Sequence, residues 1–187
     1  MQLLDLTQLN MKSKNYYFLK RIIWLSLTIF LFISCGEKAL NEEKQILTAY
    51  DIAGTYEFGS DQENESVGLL KVYPLSSNKA LFYVQVCIGP PAYNLGDIFG
   101  EISSNENNGE FYLDESNTPY DCKFKFNFTN KEVKIITEND CSFGGNGVSV
   151  DYTFFKKNNR IPSNFTNYAK SNYLFDEVDV KSYYSGF

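Results

Sequence analysis

The sequence predicts an all-β protein: about eight short antiparallel strands in a meander, closed into a small β-barrel. Three observations carry this. Between Gly54 and Lys157, short stretches rich in apolar and aromatic residues recur, each bounded by Gly, Asn, Pro or Ser. Several of them alternate polar and apolar side chains, the pattern of a sheet with one wet face. The links between them are short, which favours neighbouring hairpins over crossovers. Closing the sheet removes exposed strand edges; an open β-sandwich of two sheets is the alternative.

In chain order, the predicted strands are Thr55–Gly59, Val67–Leu75, Ala80–Ile88, Leu95–Ser103, Glu110–Leu113, Cys122–Phe128, Val133–Thr137 and Val148–Phe155. The sixth is the clearest. In CKFKFNF, Phe124, Phe126 and Phe128 share one face, and Lys123, Lys125 and Asn127 share the other. In VKII, Val133 and Ile135 supply the matching apolar face. Turns are expected at Asn78, at Asn107-Asn108-Gly109 and at Asn130-Lys131. Aromatics at 17% and hydrophobics at 43% supply enough apolar surface for a core.

Four segments follow: 1–34 as a signal peptide, 35–50 as a tether, 51–157 as the barrel domain and 158–187 as a Tyr- and Asn-rich C-terminal extension. The run Ile22 to Ile33 carries no charge and follows Lys20 and Arg21. It has the length of a signal-peptide core and falls short of the roughly 20 residues a bilayer span requires. Met11 opens a basic leader and is the better start, which leaves the first ten residues untranslated. The tether is mixed in charge, with a helical stretch expected over Ala39–Leu47. In the extension, Phe165, Tyr168 and Tyr173 are expected to pack back on the barrel.

The chain has a net charge of −6, unevenly spread. Residues 1–34 hold Lys12, Lys14, Lys20 and Arg21 against Asp5. Removing these from totals of 17 basic and 23 acidic residues leaves 13 and 22, a net of −9 from Cys35 onward. Such a domain repels phosphate backbones, so no nucleic-acid partner is expected. It also repels anionic lipid, so membrane attachment needs a cause other than charge. No histidine is present, which excludes Ser-His-Asp and Cys-His catalysis. The domain is expected to be a non-enzymatic binding module for a protein or small ligand, without catalytic residues, metal or cofactor.

Phe32-Ile33-Ser34-Cys35-Gly36 resembles the bacterial lipobox, in which small residues precede the cysteine that receives diacylglycerol. The resemblance implies an exported protein, cut before Cys35 and lipid-anchored to the cell envelope, with the outer membrane of a Gram-negative cell as the expected address. An oxidising compartment favours pairing among Cys87, Cys122 and Cys141. If strands six and seven turn at Asn130-Lys131, Cys122 lands opposite Asn139, and Cys141 lies two residues further on. A bridge from Cys87 to either cysteine stays open as an alternative.

Other candidates for chemistry are few. Phe143, Gly144, Gly145 and Asn146 form the most distinctive segment, whose glycines allow close approach of another chain or a ligand. The competing assignment is a disulfide-pinned turn before the last strand. The acidic runs Asp61-Gln62-Glu63-Asn64-Glu65 and Asp114-Glu115 suggest calcium ligands, though without EF-hand spacing. Carboxylates converging in space would make a small hydrolase. The tyrosines Tyr16, Tyr17, Tyr50, Tyr56, Tyr73, Tyr83 and Tyr93 offer either a sugar-stacking platform or core packing.

The stretch Cys122 to Phe155 resembles the closing part of small uncharacterised β-barrel envelope lipoproteins: a Cys-led amphipathic strand, a Lys/Asn turn, a Val-rich strand, then Cys-x-Phe-Gly. Gly54-Thr55-Tyr56 is similar to their opening strand. The resemblance implies a barrel of lipocalin-like or lysozyme-inhibitor-like build and a Cys122–Cys141 bond. The architecture is also similar to membrane-bound inhibitors of c-type lysozyme, which block the enzyme with a Ser-Gly-x-x-Tyr loop. Here Ser-Gly occurs as Ser185-Gly186, with no Tyr after it.

Overall fold

The computed structural model of the chain describes residues 45–113, 121–139, 141 and 143–185. A short helix α1 (Ala49–Ile52) leads into eight strands: β1 (Gly54–Phe58), β2 (Val67–Pro74), β3 (Lys79–Cys87), β4 (Leu95–Asn105), β5 (Asn108–Leu113), β6 (Cys122–Phe128), β7 (Glu132–Thr137) and β8 (Thr153–Asn158). They pair antiparallel in sequence order, and β8 returns to β1, closing a barrel. The meander barrel expected from the sequence is therefore the fold, and the open sandwich is not. A hairpin of β9 (Asn164–Thr166) and β10 (Asn172–Leu174) and a helix α2 (Val180–Tyr184) follow.

Alternation sets the inner face. In β6 the phenylalanines are buried and the lysines exposed, as their period of two requires. Phe82 meets Phe111 and Phe126 edge-on at 4.9 and 5.1 Å, so aromatic rings fill the middle of the barrel. Phe124 and Thr137, and Phe128 and Val133, are cross-strand partners in the β6–β7 pair. That register brings the end of β6 level with Asn139, whose Oδ1 accepts the Lys123 amide at 2.7 Å. Cys122 bonds to Cys141, with Cα atoms 4.7 Å apart, and Cys87 is a free buried thiol. A bridge closing a loop of this length contributes about 3 kcal/mol in the chain-entropy account.

Both mouths of the barrel are covered. At the lower end, where the described chain begins, the N-terminal segment crosses three hairpin turns. The Leu47 amide donates to Asn107 Oδ1 at 2.9 Å, and Asn107 Nδ2 donates to the Gln45 carbonyl. Asn130 Nδ2 donates to Gln45 Oε1, and the Ala49 amide donates to the Ser77 carbonyl at 2.8 Å. Leu47, Ala49 and Ile52 are buried by this crossing, and the Tyr56 hydroxyl donates to the Ile52 carbonyl from below. The helix expected over Ala39–Leu47 is not found in its described part: Gln45–Thr48 is extended, and helix begins only at Ala49. Backbone groups there bond to the turns, which a helix would have used internally.

At the upper end, the long connection from β7 to β8 folds inward. Val150 and Phe143 are buried, and the Tyr152 carbonyl accepts the Ile135 amide. The eighth strand was expected from Val148, but it begins at Thr153. Asp151 explains the difference. Its carboxylate accepts the Thr137 amide at 2.5 Å and the Ser149 hydroxyl at 2.7 Å, so side-chain bonds replace a ladder over these residues.

The barrel has one weak seam. β4 has eleven residues, but β5 pairs only with Ser103, Ser104 and Asn105. Gly144 forms an isolated antiparallel bridge with Gly96, and the Gly145 amide donates to the Leu95 carbonyl. Further down, Tyr184 reaches the same edge. The Phe99 amide donates to its hydroxyl at 3.2 Å, and the hydroxyl donates to the Phe99 carbonyl at 2.8 Å.

Tyr184→Phe keeps the ring and removes only the hydroxyl, leaving both Phe99 backbone groups buried without that partner. It should cost about 1–3 kcal/mol of unfolding free energy. Denaturant titration measures the loss, and hydrogen exchange should accelerate at the Phe99 amide. Unchanged protection at Phe99 would show that Tyr184 does not close the seam.

Candidate functional site

The C-terminal segment makes a second core outside the barrel. β3 carries Phe82 inward and Tyr83 outward, and β4 carries Ile98 inward and Phe99 outward, so both faces are buried here. Phe165 stacks on Tyr83 at 4.4 Å and on Phe99 at 5.0 Å, while Phe175 stacks on Tyr73 at 5.4 Å. Tyr183 fills the space between Phe99 and Tyr173. Phe165 and Tyr173 pack back as their sequence suggests, but Tyr168 does not: it is 54% exposed. Tyr168 instead contributes its backbone.

Beneath this cover lies Asp97, 6% exposed. Its Oδ2 accepts the Tyr83 hydroxyl at 2.9 Å and the Tyr168 amide at 2.9 Å. Burial holds the Asp97 carboxyl above the ordinary carboxylate range, and the Tyr168 amide and Tyr83 hydroxyl pull it partly back. Burial, and then the Asp97 charge, push the Tyr83 phenol up, so it stays protonated and donates. Asp97 fastens the C-terminal segment, as a strap, to the wall; it is a structural carboxylate.

One open groove lies on the outer wall towards the upper end, about 530 Å³ in volume. Outward residues of β1, β2, β3 and the start of β4 line it, together with Phe58 and Gly68 at the rim of the barrel, the β1–β2 loop and Lys157. Glu57 and Lys157 pair across one side at 3.3 Å. Gln62 closes another, its Nε2 lying 3.0 Å from the Cys87 sulfur. Leu69 and Phe58 give apolar surface, and Gln85 offers an amide. Such a lining fits a small neutral molecule with both apolar and hydrogen-bonding groups. It holds one carboxylate, Glu57, already engaged by an ammonium, so the pair needed for glycoside hydrolysis is not assembled there.

The residues singled out in the sequence are scattered. Phe143 packs inward, 6.1 Å from Phe124. Gly144 and Gly145 bind the β4 edge, where a Cβ on Gly144 would lie 2.9 Å from the Gly96 Cα. The Asn146 carbonyl accepts the Asn94 side-chain amide at 2.6 Å. This segment therefore has a structural role within the chain, and of its glycines only Gly147 takes a positive φ, at 81°. In the acidic loop, Glu65 accepts the Ser60 and Asp61 amides and Asp61 accepts the Glu63 amide, so these carboxylates order the turn. Among the described residues no group of three or more Cys, Asp or Glu side chains is placed to hold a metal ion. Tyr56 is inside the barrel, Tyr73 and Tyr83 lie under the strap, and Tyr50 and Tyr93 sit at opposite ends, so these tyrosines make no common platform. Ser185 accepts no loop role: it ends α2, its amide on the Lys181 carbonyl. Cys35, Tyr16, Tyr17, Asp114, Glu115, Asp140, Ser142, Gly186 and Phe187 lie outside the described residues.

The groove was not legible in the sequence, because its lining comes from five strands and a loop that are far apart in the chain. A carboxyl whose proton is held more tightly in the folded state contributes its stability fully below the unfolded value. That contribution is lost as pH rises through the raised folded value. Relative to Asp97→Asn, the wild type should therefore lose thermal stability as pH rises from about 4 toward neutrality. A wild type that gains on the variant over that range would mean that the hydrogen bonds outweigh burial. No family model, curated protein or solved structure matches the chain, so its own geometry is what bears on function.

Proposed function

We propose that this protein is a lipid-anchored component of a bacterial cell envelope, held through Cys35, whose barrel is a non-enzymatic binding module. The observation that supports binding at the outer wall is the filled interior. Rings occupy the barrel centre and segments cover both mouths, so the described residues leave no internal cup of the lipocalin kind for a ligand. The outer groove is a concave surface that combines apolar and polar groups. Its ligand class is a small neutral amphipathic molecule, or a protein segment presenting such groups. Anchorage comes from acyl chains at about 0.8 kcal/mol per buried CH₂, since the domain is acidic.

Cys35→Ser should release the protein from the membrane fraction of cells; retention at the wild-type level would refute the lipid anchor. Binding is tested separately, in intact cells, with photo-crosslinking side chains. Gln85→benzoylphenylalanine should give a discrete adduct, and Ile136→benzoylphenylalanine on the opposite wall should not. Identical adduct patterns from both positions, or none from position 85, would remove the groove as the binding site.

A further inference from the structure

The lower end of the barrel has a second, outward surface. The N-terminal segment crosses that end with alternating side chains: Leu47 and Ala49 point in and are buried, while Ile46 and Tyr50 point out. Ile46 is 63% exposed and Tyr50 58%. Leu75 in the β2–β3 turn, beside the Ser77 carbonyl that holds Ala49, is 45% exposed. Large apolar groups are thus displayed around the place where the described chain begins, at Gln45.

We propose that this end docks on the bilayer surface, seating Ile46, Tyr50 and Leu75 among the lipid head groups. The proposal rests on the lipid-anchor reading of Cys35. Only residues 36–44 separate that cysteine from Gln45. Nine residues span at most about 30 Å, so an anchor at Cys35 holds this end within reach of the membrane. The side chains suit an interface: aliphatic residues enter the acyl boundary, and tyrosine rests at head-group depth with its hydroxyl wet.

Several of the charges near this contact are already engaged. Lys79 pairs with Glu101, Lys156 Nζ donates to the Asp51 carbonyl, and the Asp51 carboxylate is taken up by Thr48. Lysines and carboxylates are interleaved here, so the contact is apolar and should form on zwitterionic lipid. The groove lies towards the opposite end of the strands, and the nine residues of β3 span about 30 Å before tilt is counted. Docking by the lower end would therefore turn the groove towards the aqueous compartment, and its ligand would come from there.

Trp24 is the single tryptophan and lies in the apolar leader run, so the processed chain has none. Full-length protein is purified from membranes and reconstituted into phosphatidylcholine vesicles with brominated acyl chains. Four variants are compared: Ile46→Trp, Tyr50→Trp, Leu75→Trp and, at the opposite end, Tyr93→Trp. The first three should lose most of their emission and shift to the blue, while the fourth keeps its emission. Equal quenching at all four positions, or weak quenching at all four in protein that co-floats with the vesicles, would overturn docking and leave the anchor intact. Failure of the wild-type chain to co-float would overturn both. Crosslinked dimers through position 46 or 75 without quenching would assign the surface to a second copy instead.

Discussion

The short pairing between β4 and β5 is the constraint on which the rest of the structure depends. A barrel stays closed only if each strand finds partners on both sides, and the upper part of β4 has none in β5. Phe111 lies over the inner face of Gly100, where a Cβ would come within 2.2 Å of its ring. The exposed edge then has to be satisfied by other parts of the chain. Two do so: the Gly144 bridge to Gly96, and the Tyr184 hydroxyl on both backbone groups of Phe99. The Cys122–Cys141 bond belongs to the same device, because it fixes the start of the segment that carries Gly144 across the seam.

The second consequence concerns the strap. Tyr184 reaches Phe99 because β9, β10 and α2 are already held on the wall by Phe165 and Phe175. Those rings have a surface to hold because β3 and β4 present Tyr83 and Phe99 on their outward face. Asp97 adds direction to a contact that aromatic stacking alone leaves permissive, since it receives the Tyr168 amide at one fixed place. Lys71 adds another fixed point, its Nζ donating to the Asn164 carbonyl at 2.9 Å. Hydrophobic area supplies most of the attraction, and a few buried polar contacts set the register.

This division explains what the sequence could disclose. The alternation in Cys122–Phe128 reports one buried and one wet face, and the register with β7 follows from a turn at Asn130-Lys131 alone. Both were legible, because the information is local. The strap was only half legible. Phe165 and Tyr173 advertise burial, but the surface they bury against is the outward face of strands some 80 residues earlier in the chain. Val148–Tyr152 looks like a strand and is not one, because Asp151 and Ser149 capture backbone amides that a ladder would have used. The glycines at 144 and 145 signal a close approach. Whether a ligand or another strand makes it depends on how far β5 follows β4, which no local pattern encodes.

The same geometry narrows where function can reside. A barrel with an open mouth can hold a ligand along its axis, but here the described residues place aromatic rings along it. Phe128 and Phe126 stack at 5.9 Å towards the lower turns, and Phe124 meets Phe143 at the upper end. Segments bound by specific hydrogen bonds close both ends, and the strap covers the outward face of β3 and β4. Cover is therefore distributed unevenly over the outer wall. It stops short of Gln85 and Leu69, whose neighbours Glu57, Lys157 and Gln62 form the rim of the groove. The strap contributes no residue to the lining of the groove, so the cover that seals the seam and the surface left for a ligand are built from separate parts of the chain.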